Sequence, residues 1–342
     1  MMNAANPSSD PLDMNVKGDL ADPHEPHWIS RSAFQILVFI LAGIHAVLFA
    51  ALYYENWWLA VPVILLAGHF MHGVLIGFHE ASHGLLRKNR TFNEFDGVLI
   101  GTLGLFSFTL YRVVHQKHHM YLATEKDEEL WPFNDPSKPR WFRCTAAFLE
   151  LTVSLFSTPY LFLRCFFAKD TTIRSPRVRK RIWKELIGTV VFWTLVVSIV
   201  AWFDLWKYFL CMYLIPAMLA ANLQSWRKYV EHVGLRGTSA TGATRSIVSE
   251  GLAGRLLAFS LLHEPFHGLH HRHAGWHHYE LPAHAPELNP QTPEETTPYP
   301  NYRSAVMDLL RCLADPKVGP QWYRNETSAQ PSPSPAANTL TA

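Results

Sequence analysis

Charge-free apolar runs long enough to cross a bilayer set the first limit on how this chain can fold. Ala33–Tyr54 and Trp57–Phe78 each hold 22 residues without a formal charge, enough to span a hydrocarbon core of about 30 Å as a helix. A second pair is predicted at Leu186–Trp206 and Tyr208–Gln224, joined through a short Asp204–Lys207 turn. Runs of this length read as helices, because lipid leaves backbone polar groups no partner outside their own segment. The expected fold class is therefore an all-α integral membrane protein with four transmembrane helices. An aromatic content of 13%, with 12 Trp, suits a chain that has two membrane–water interfaces to anchor.

The loops divide by charge. The Tyr53–Asn56 connection has no Lys or Arg, whereas Thr172–Glu185 carries six basic residues and Arg87, Lys88 and Arg90 follow the second run. By the positive-inside rule the basic loops, both termini and the histidine-rich segments are expected on the cytoplasmic face of a multi-pass protein, a bacterial inner membrane being the favoured location. Two further apolar stretches, Gly97–Tyr111 and Thr145–Ala168, are read as re-entrant or interfacial helices on that face. A crossing by the first would put two histidine clusters on opposite sides. Ser249–His263 is read as an amphipathic cytoplasmic helix.

Residues 1–32 form a polar segment without a secretory signal, 33–324 the membrane domain, and 325–342 a Ser/Pro/Ala/Thr-rich tail expected to be disordered. A net charge of +2 gives no reason to expect a nucleic-acid partner. Cys144, Cys165, Cys211 and Cys312 show no CxxC spacing, which argues against a disulfide framework, a zinc knuckle or an iron–sulfur cluster.

Nine histidines fall into three boxes and one outlier beside these apolar runs. The boxes are His79/His83, His115/His118/His119 and His267/His270/His271; His232 stands alone. On a helix, positions i and i+4 share a face, so each box can aim two imidazoles at one point. In the HxxHH boxes one histidine pairs with the first while its neighbour swings aside and can reach a second ion. A lone histidine is more often a satisfied polar residue, but three boxes at helical spacing are not explained that way. Nine nitrogens suit two transition-metal ions with room for dioxygen; imidazole alone does not choose among iron, copper, zinc and nickel.

His69 and His72 lie inside the second run and read as hydrogen-bonding groups, and His45 as packing. His263, His273, His277 and His278 surround the third box. Glu80, Glu231 and Glu264 adjoin box residues and are positioned to orient imidazoles. Asp127, Glu128 and Glu129 read as a solvated acidic run.

Two other classes compete. His79-Glu80-Ala-Ser-His83 is a literal HExxH, as is His263-Glu264-Pro-Phe-His267, which suits an intramembrane zinc protease, although Asp96 follows the first copy too closely to mimic the aspartate ligand of such proteases. That reading leaves both HxxHH boxes without purpose, and Pro265 spoils the second helix. A metal transporter would want ligands at mid-membrane, where only His69 and His72 qualify.

The boxes in this order, with His232 upstream of the last, resemble the membrane fatty acid desaturase superfamily over about Ala33 to His278. Arg227-Lys-Tyr-Val-Glu231-His232-Val-Gly-Leu is similar to the corresponding segment of alkane hydroxylases. The resemblance implies a cytoplasmic His-rich cap holding two non-haem irons through all nine histidines. It also implies O2 as co-substrate and a fatty acyl lipid from which hydrogens are removed. Hydroxylation, ketolation or alkene-forming decarboxylation would use the same boxes. The chain shows no His-Pro-Gly-Gly motif of a fused cytochrome b5, so two electrons per turnover are expected from a separate ferredoxin, rubredoxin or cytochrome.

Overall fold

The computed structural model describes residues 28–323; most of the polar N-terminal segment and the whole of 325–342 lie outside them. Among the described residues there is no strand, only an isolated bridge between Ile247 and Tyr299. The helices are α1 (Ala33–Tyr53), α2 (Trp57–His83), α3 (Arg90–Leu103), α4 (Phe108–Tyr121), α5 (Arg140–Thr152), α6 (Ser154–Phe167), α7 (Pro176–Trp202), α8 (Trp206–His232), α9 (Gly251–Ser260), α10 (His267–Arg272) and α11 (Tyr302–Cys312).

Four of them, α1, α2, α7 and α8, are long and apolar enough to cross a membrane. α2 packs along both α1 and α8. α7 stands at the periphery and turns Ile187, Val190 and Leu195 outward, a lipid-facing surface by composition. The helices outrun the expected spans: α7 begins ten residues before Leu186, and α8 runs on to His232. Arg, Lys and Glu are good helix formers, so the loss of apolar character marks the edge of the lipid and not the end of the helix.

α8 contains wider turns at Leu210–Leu214, just ahead of Pro216. Proline lacks the N–H that would bond the Met212 carbonyl. His45 Nε2 donates to that carbonyl at 2.9 Å, so this histidine repairs a helix as well as packing.

α3 and α4 meet at a bend of 101°. Leu105 turns the chain with φ 63°, and a side chain on Gly101 would stand 2.9 Å from the Phe106 carbonyl oxygen. Because α4 returns His115 to within 3.1 Å of His83 at the end of α2, the pair enters and leaves on one side. That return is the one expected of a re-entrant or interfacial pair. Thr145–Ala168 likewise resolves into two helices, α5 and α6, broken at Val153 and packed on α8.

Two local devices fix the boxes. Glu185 of α7 accepts from Ser107 Oγ (2.7 Å) and from Thr109 N and Oγ1 (2.8 and 2.6 Å), anchoring the start of α4; an anion is also favoured at that helix end. The approach to the third box is seated on α2, where Ser260 Oγ bonds His69 Nε2 at 2.9 Å beside Gly73. A methyl at Gly73 would fall 2.4 Å from the Ser260 backbone oxygen, whereas one at Gly43 would meet nothing within 4 Å. Gly73→Ala should therefore lower the thermal midpoint of the solubilised protein by several degrees, for an overpacking cost of about 1–3 kcal/mol. Gly43→Ala should leave it unchanged. Equal midpoints for the two variants would refute this seating.

Candidate metal centre

Each box sits where a helix ends. His79 and His83 form the last turn of α2, stopped by Gly84 at φ +80°, a left-handed terminator that glycine adopts without strain. His115, His118 and His119 lie in the closing turns of α4, and His232 is the last residue of α8. The C-terminal ends of three substantial helices thus converge, and their dipoles favour a cation there. The third box occupies the short α10.

The nine imidazoles divide into five and four. Ligand atoms of His79, His83, His115, His119 and His270 all lie within 4.8 Å of one another. Nε2 of His115 is 3.1 Å from that of His83 and 3.2 Å from that of His119, which is 3.1 Å from that of His270. In the second group, Nε2 of His267 lies 2.9 Å from that of His232 and 3.0 Å from that of His271. The His118 ring stands 4.9 Å from His232 and 4.8 Å from His271. The groups abut where His119 and His271 stack at 4.3 Å. Each HxxHH box sends its first and last histidine to one group and its middle one, His118 or His270, to the other.

Buried carboxylates face the opposite ring nitrogens. His115 Nδ1 is 2.8 Å from Glu129, His118 Nδ1 is 2.9 Å from Asp127, and His267 Nδ1 is 2.9 Å from Glu264. These partners place the protons on Nδ1 and leave Nε2 as bare lone pairs. Two lone pairs about 3 Å apart repel each other unless a cation lies between them. Burial pushes His267 down to about 4, and His270 and His271 well below the usual histidine range, so these rings are neutral donors at neutral pH. Nδ1 and Nε2 of His79 are buried with no hydrogen-bond partner. The donor set fits a pair of imidazole-preferring metal ions.

Arg227 binds the carboxylates together. Its Nη1 donates to both oxygens of Glu231 (2.6 and 2.8 Å) and to Glu264 (2.8 Å). Burial alone would raise Glu264, but His79 and Arg227 beside it outweigh that and hold its carboxyl well below the usual range. An open cavity runs from these groups between α2, the α3–α4 bend, α6 and α8. Val74, Phe78 and Phe106 line its apolar side, and Tyr111 stacks on His115 at 5.2 Å.

Several expectations change here. The acidic run is not solvated: Asp127 is 1% exposed and, with Glu129, serves the second box, while Glu128 pairs with Lys117 at 3.2 Å. Three consecutive acids read as surface in a sequence, and only the turn after α4 folds two of them inward. Arg227 carried no chemical signal of its own beyond standing one helical turn before Glu231. His72 bonds Gln224 at 3.1 Å, not a box residue. His263 pairs with His278 at 3.2 Å, and His273 stacks on Trp276 at 3.7 Å, all outside the nine. His263 itself lies in a left-handed turn at φ 55°, so the second HExxH is not a helix; Asp96 is engaged by Arg87.

Comparison with known proteins agrees with the cluster. Dihydrorhizobitoxine desaturase of Bradyrhizobium elkanii is 30% identical over 157 residues, 40% of this chain and 41% of that protein. An sn-1 acyl-lipid omega-3 desaturase (ferredoxin) of Synechocystis sp. is 28% identical over 112 residues, 32% of this chain and 30% of the relative. An sn-1 oleoyl-lipid 12-desaturase of Picosynechococcus sp. is 25% identical over 113 residues, 32% of each. The matched stretches span well under half the length of these relatives. The family model for fatty acid desaturases, however, matches residues 56–303, which take in all four spans but the first and every box, and the chain belongs to the fatty acid desaturase family.

Proposed function

We propose that this protein is an O2-dependent, two-iron desaturase of fatty acyl lipids. The observation that carries the reading is the five-plus-four division of nine imidazoles at the inner end of an apolar cavity. His79, His83, His115, His119 and His270 would hold one iron; His118, His232, His267 and His271 would hold the other. Bound iron supplies the oxidising power needed to remove hydrogen from an unactivated methylene with O2 and two external electrons.

The chain's own groups do the rest. Glu129, Asp127 and Glu264 hold the proton on Nδ1 of their imidazoles and keep Nε2 free. Arg227 holds Glu231 and Glu264 in place and keeps Glu264 ionised. Phe78 and Phe106 exclude water from the cavity and confine a chain to one path, so that position and not intrinsic reactivity selects the carbon. The basic loops favour a cytoplasmic site. A separate electron carrier is supported by the ferredoxin in one relative's name.

The relative from Bradyrhizobium, whose name is that of dihydrorhizobitoxine, keeps a non-lipid substrate as a second reading. Expression in a host membrane, with mass spectrometry of total fatty acids, alcohols and hydrocarbons, separates the outcomes. A new double bond in an acyl chain is expected; a hydroxyl or terminal alkene would overturn desaturation while sparing the centre.

The ligand assignment predicts metal content. Purified protein should hold two irons per chain, and His270→Ala and His118→Ala should each abolish turnover and lower bound iron. Retention of both iron and turnover in either variant would refute the assignment. One zinc per chain in the wild type would favour the protease reading. Asp127→Asn should keep the fold but weaken iron binding about 10–100-fold, the usual cost of losing a carboxylate behind a metal-bound histidine. An unchanged affinity would show that Asp127 only caps its turn.

A further inference from the structure

The cavity leading to the imidazoles has two unlike walls. Val74, Phe78 and Phe106 make one side apolar, but the side formed by α6 and α8 presents Ser154, Thr158 and Ser225. Ser154 Oγ lies 2.6 Å from Ser225 Oγ and 2.9 Å from Thr158 Oγ1. Three hydroxyls carry three hydrogens, and these two contacts use two of them. At least one O–H, together with unused oxygen lone pairs, remains to be shared with whatever fills the cavity.

The group is rigidly supported. Asn222 Oδ1 accepts from Ser154 N at 3.0 Å, and Asn222 Nδ2 donates to the Thr152 carbonyl at 2.9 Å. One amide thus clamps the α5–α6 break that puts Ser154 in the wall. A contact holding α6 to α8 needs only Ser154 and Ser225. Thr158 lies on the same helix as Ser154, adds nothing to that junction and lines the cavity. Ser225 precedes His232 by seven residues on one helix, which places the hydroxyls about 10 Å from the imidazole cluster.

The geometry points to a hydroxyl subsite, formed by Ser154, Thr158 and Ser225, that binds a hydrogen-bonding oxygen of the substrate about two helical turns from the carbon that reacts. The preferred substrate is then a chain carrying an ester, ether or hydroxyl oxygen at that distance, and not a plain hydrocarbon tail. This rests on the reading that the substrate enters this cavity.

Binding tests it without needing turnover. Iron-loaded, detergent-solubilised protein is titrated with long-chain alkyl probes in which one methylene is replaced by an ether oxygen at successive positions, and with the all-methylene counterpart. Wild type should hold one positional ether isomer about 10-fold more tightly than the hydrocarbon, the effect of a single neutral hydrogen bond. Thr158→Val, which keeps the side chain's shape, and the Thr158→Val/Ser225→Ala double variant should hold the two alike, with iron content unchanged. Equal binding by wild type, or a preference that survives in Thr158→Val, would overturn the subsite and leave the hydroxyls as contacts between helices. Product analysis of the same probes reports separately on oxidation: an ether preference with no oxidised product would sink the desaturase reading and leave the subsite standing.

Discussion

The buried cation of Arg227 is the interaction on which the cap depends. It stands on α8 one turn before His232 and joins Glu231 of its own helix to Glu264 of the segment before the third box. Glu264 in turn lies 2.9 Å from His267 and 3.4 Å from His79. One guanidinium thereby sets α2, α8 and α10 relative to one another. Two carboxylates this deeply buried are tolerated because one guanidinium nitrogen, Nη1, meets both.

Helical periodicity then produces a shared centre rather than two separate ones. In each HxxHH box the outer histidines point one way and the middle one is rotated aside, so α4 and α10 exchange His118 and His270. Neither group of imidazoles is complete without a residue from the other's box. Losing the position of either helix disturbs both groups, which explains the effort spent on anchoring them. Glu185 fixes α4 from the far end, and the Gly73–Ser260 seat fixes the approach to α10. The acids behind the rings add a second constraint. An imidazole whose Nδ1 proton is held by a carboxylate cannot turn without breaking a charge-assisted bond.

Much of this was legible in the sequence, and what was not has a physical reason. Uncharged length revealed the four spans, and 3.6-residue spacing revealed the boxes. The need for His83 and His115 to share a side forced the re-entrant reading of Gly97–Tyr111. What failed were inferences that treat polarity as exposure. Asp127 and Glu129 look like surface until the turn after α4 is built, and the polar ends of α7 and α8 look like loops. Arg227, His45 and Ser154 were invisible for another reason. Each answers a demand created elsewhere, by two distant carboxylates, by the proline in α8 and by a cavity between helices, and no local pattern reports such a demand.

The cavity carries the same lesson to specificity. The imidazole cluster defines what can be oxidised chemically, but every member of such a family shares that capacity, so the choice of substrate has to reside in the walls. An entirely apolar path would distinguish chains only by length and shape, and a methylene more or less changes binding by about 1–3 kcal/mol. Buried hydroxyls discriminate more sharply, because a partner that cannot bond them leaves them unsatisfied in a dry site. A wall with Ser154, Thr158 and Ser225 opposite Val74 and Phe78 is therefore a stricter filter than its small polar area suggests. Under the proposed subsite it would separate this chain from a general reader of hydrocarbon tails.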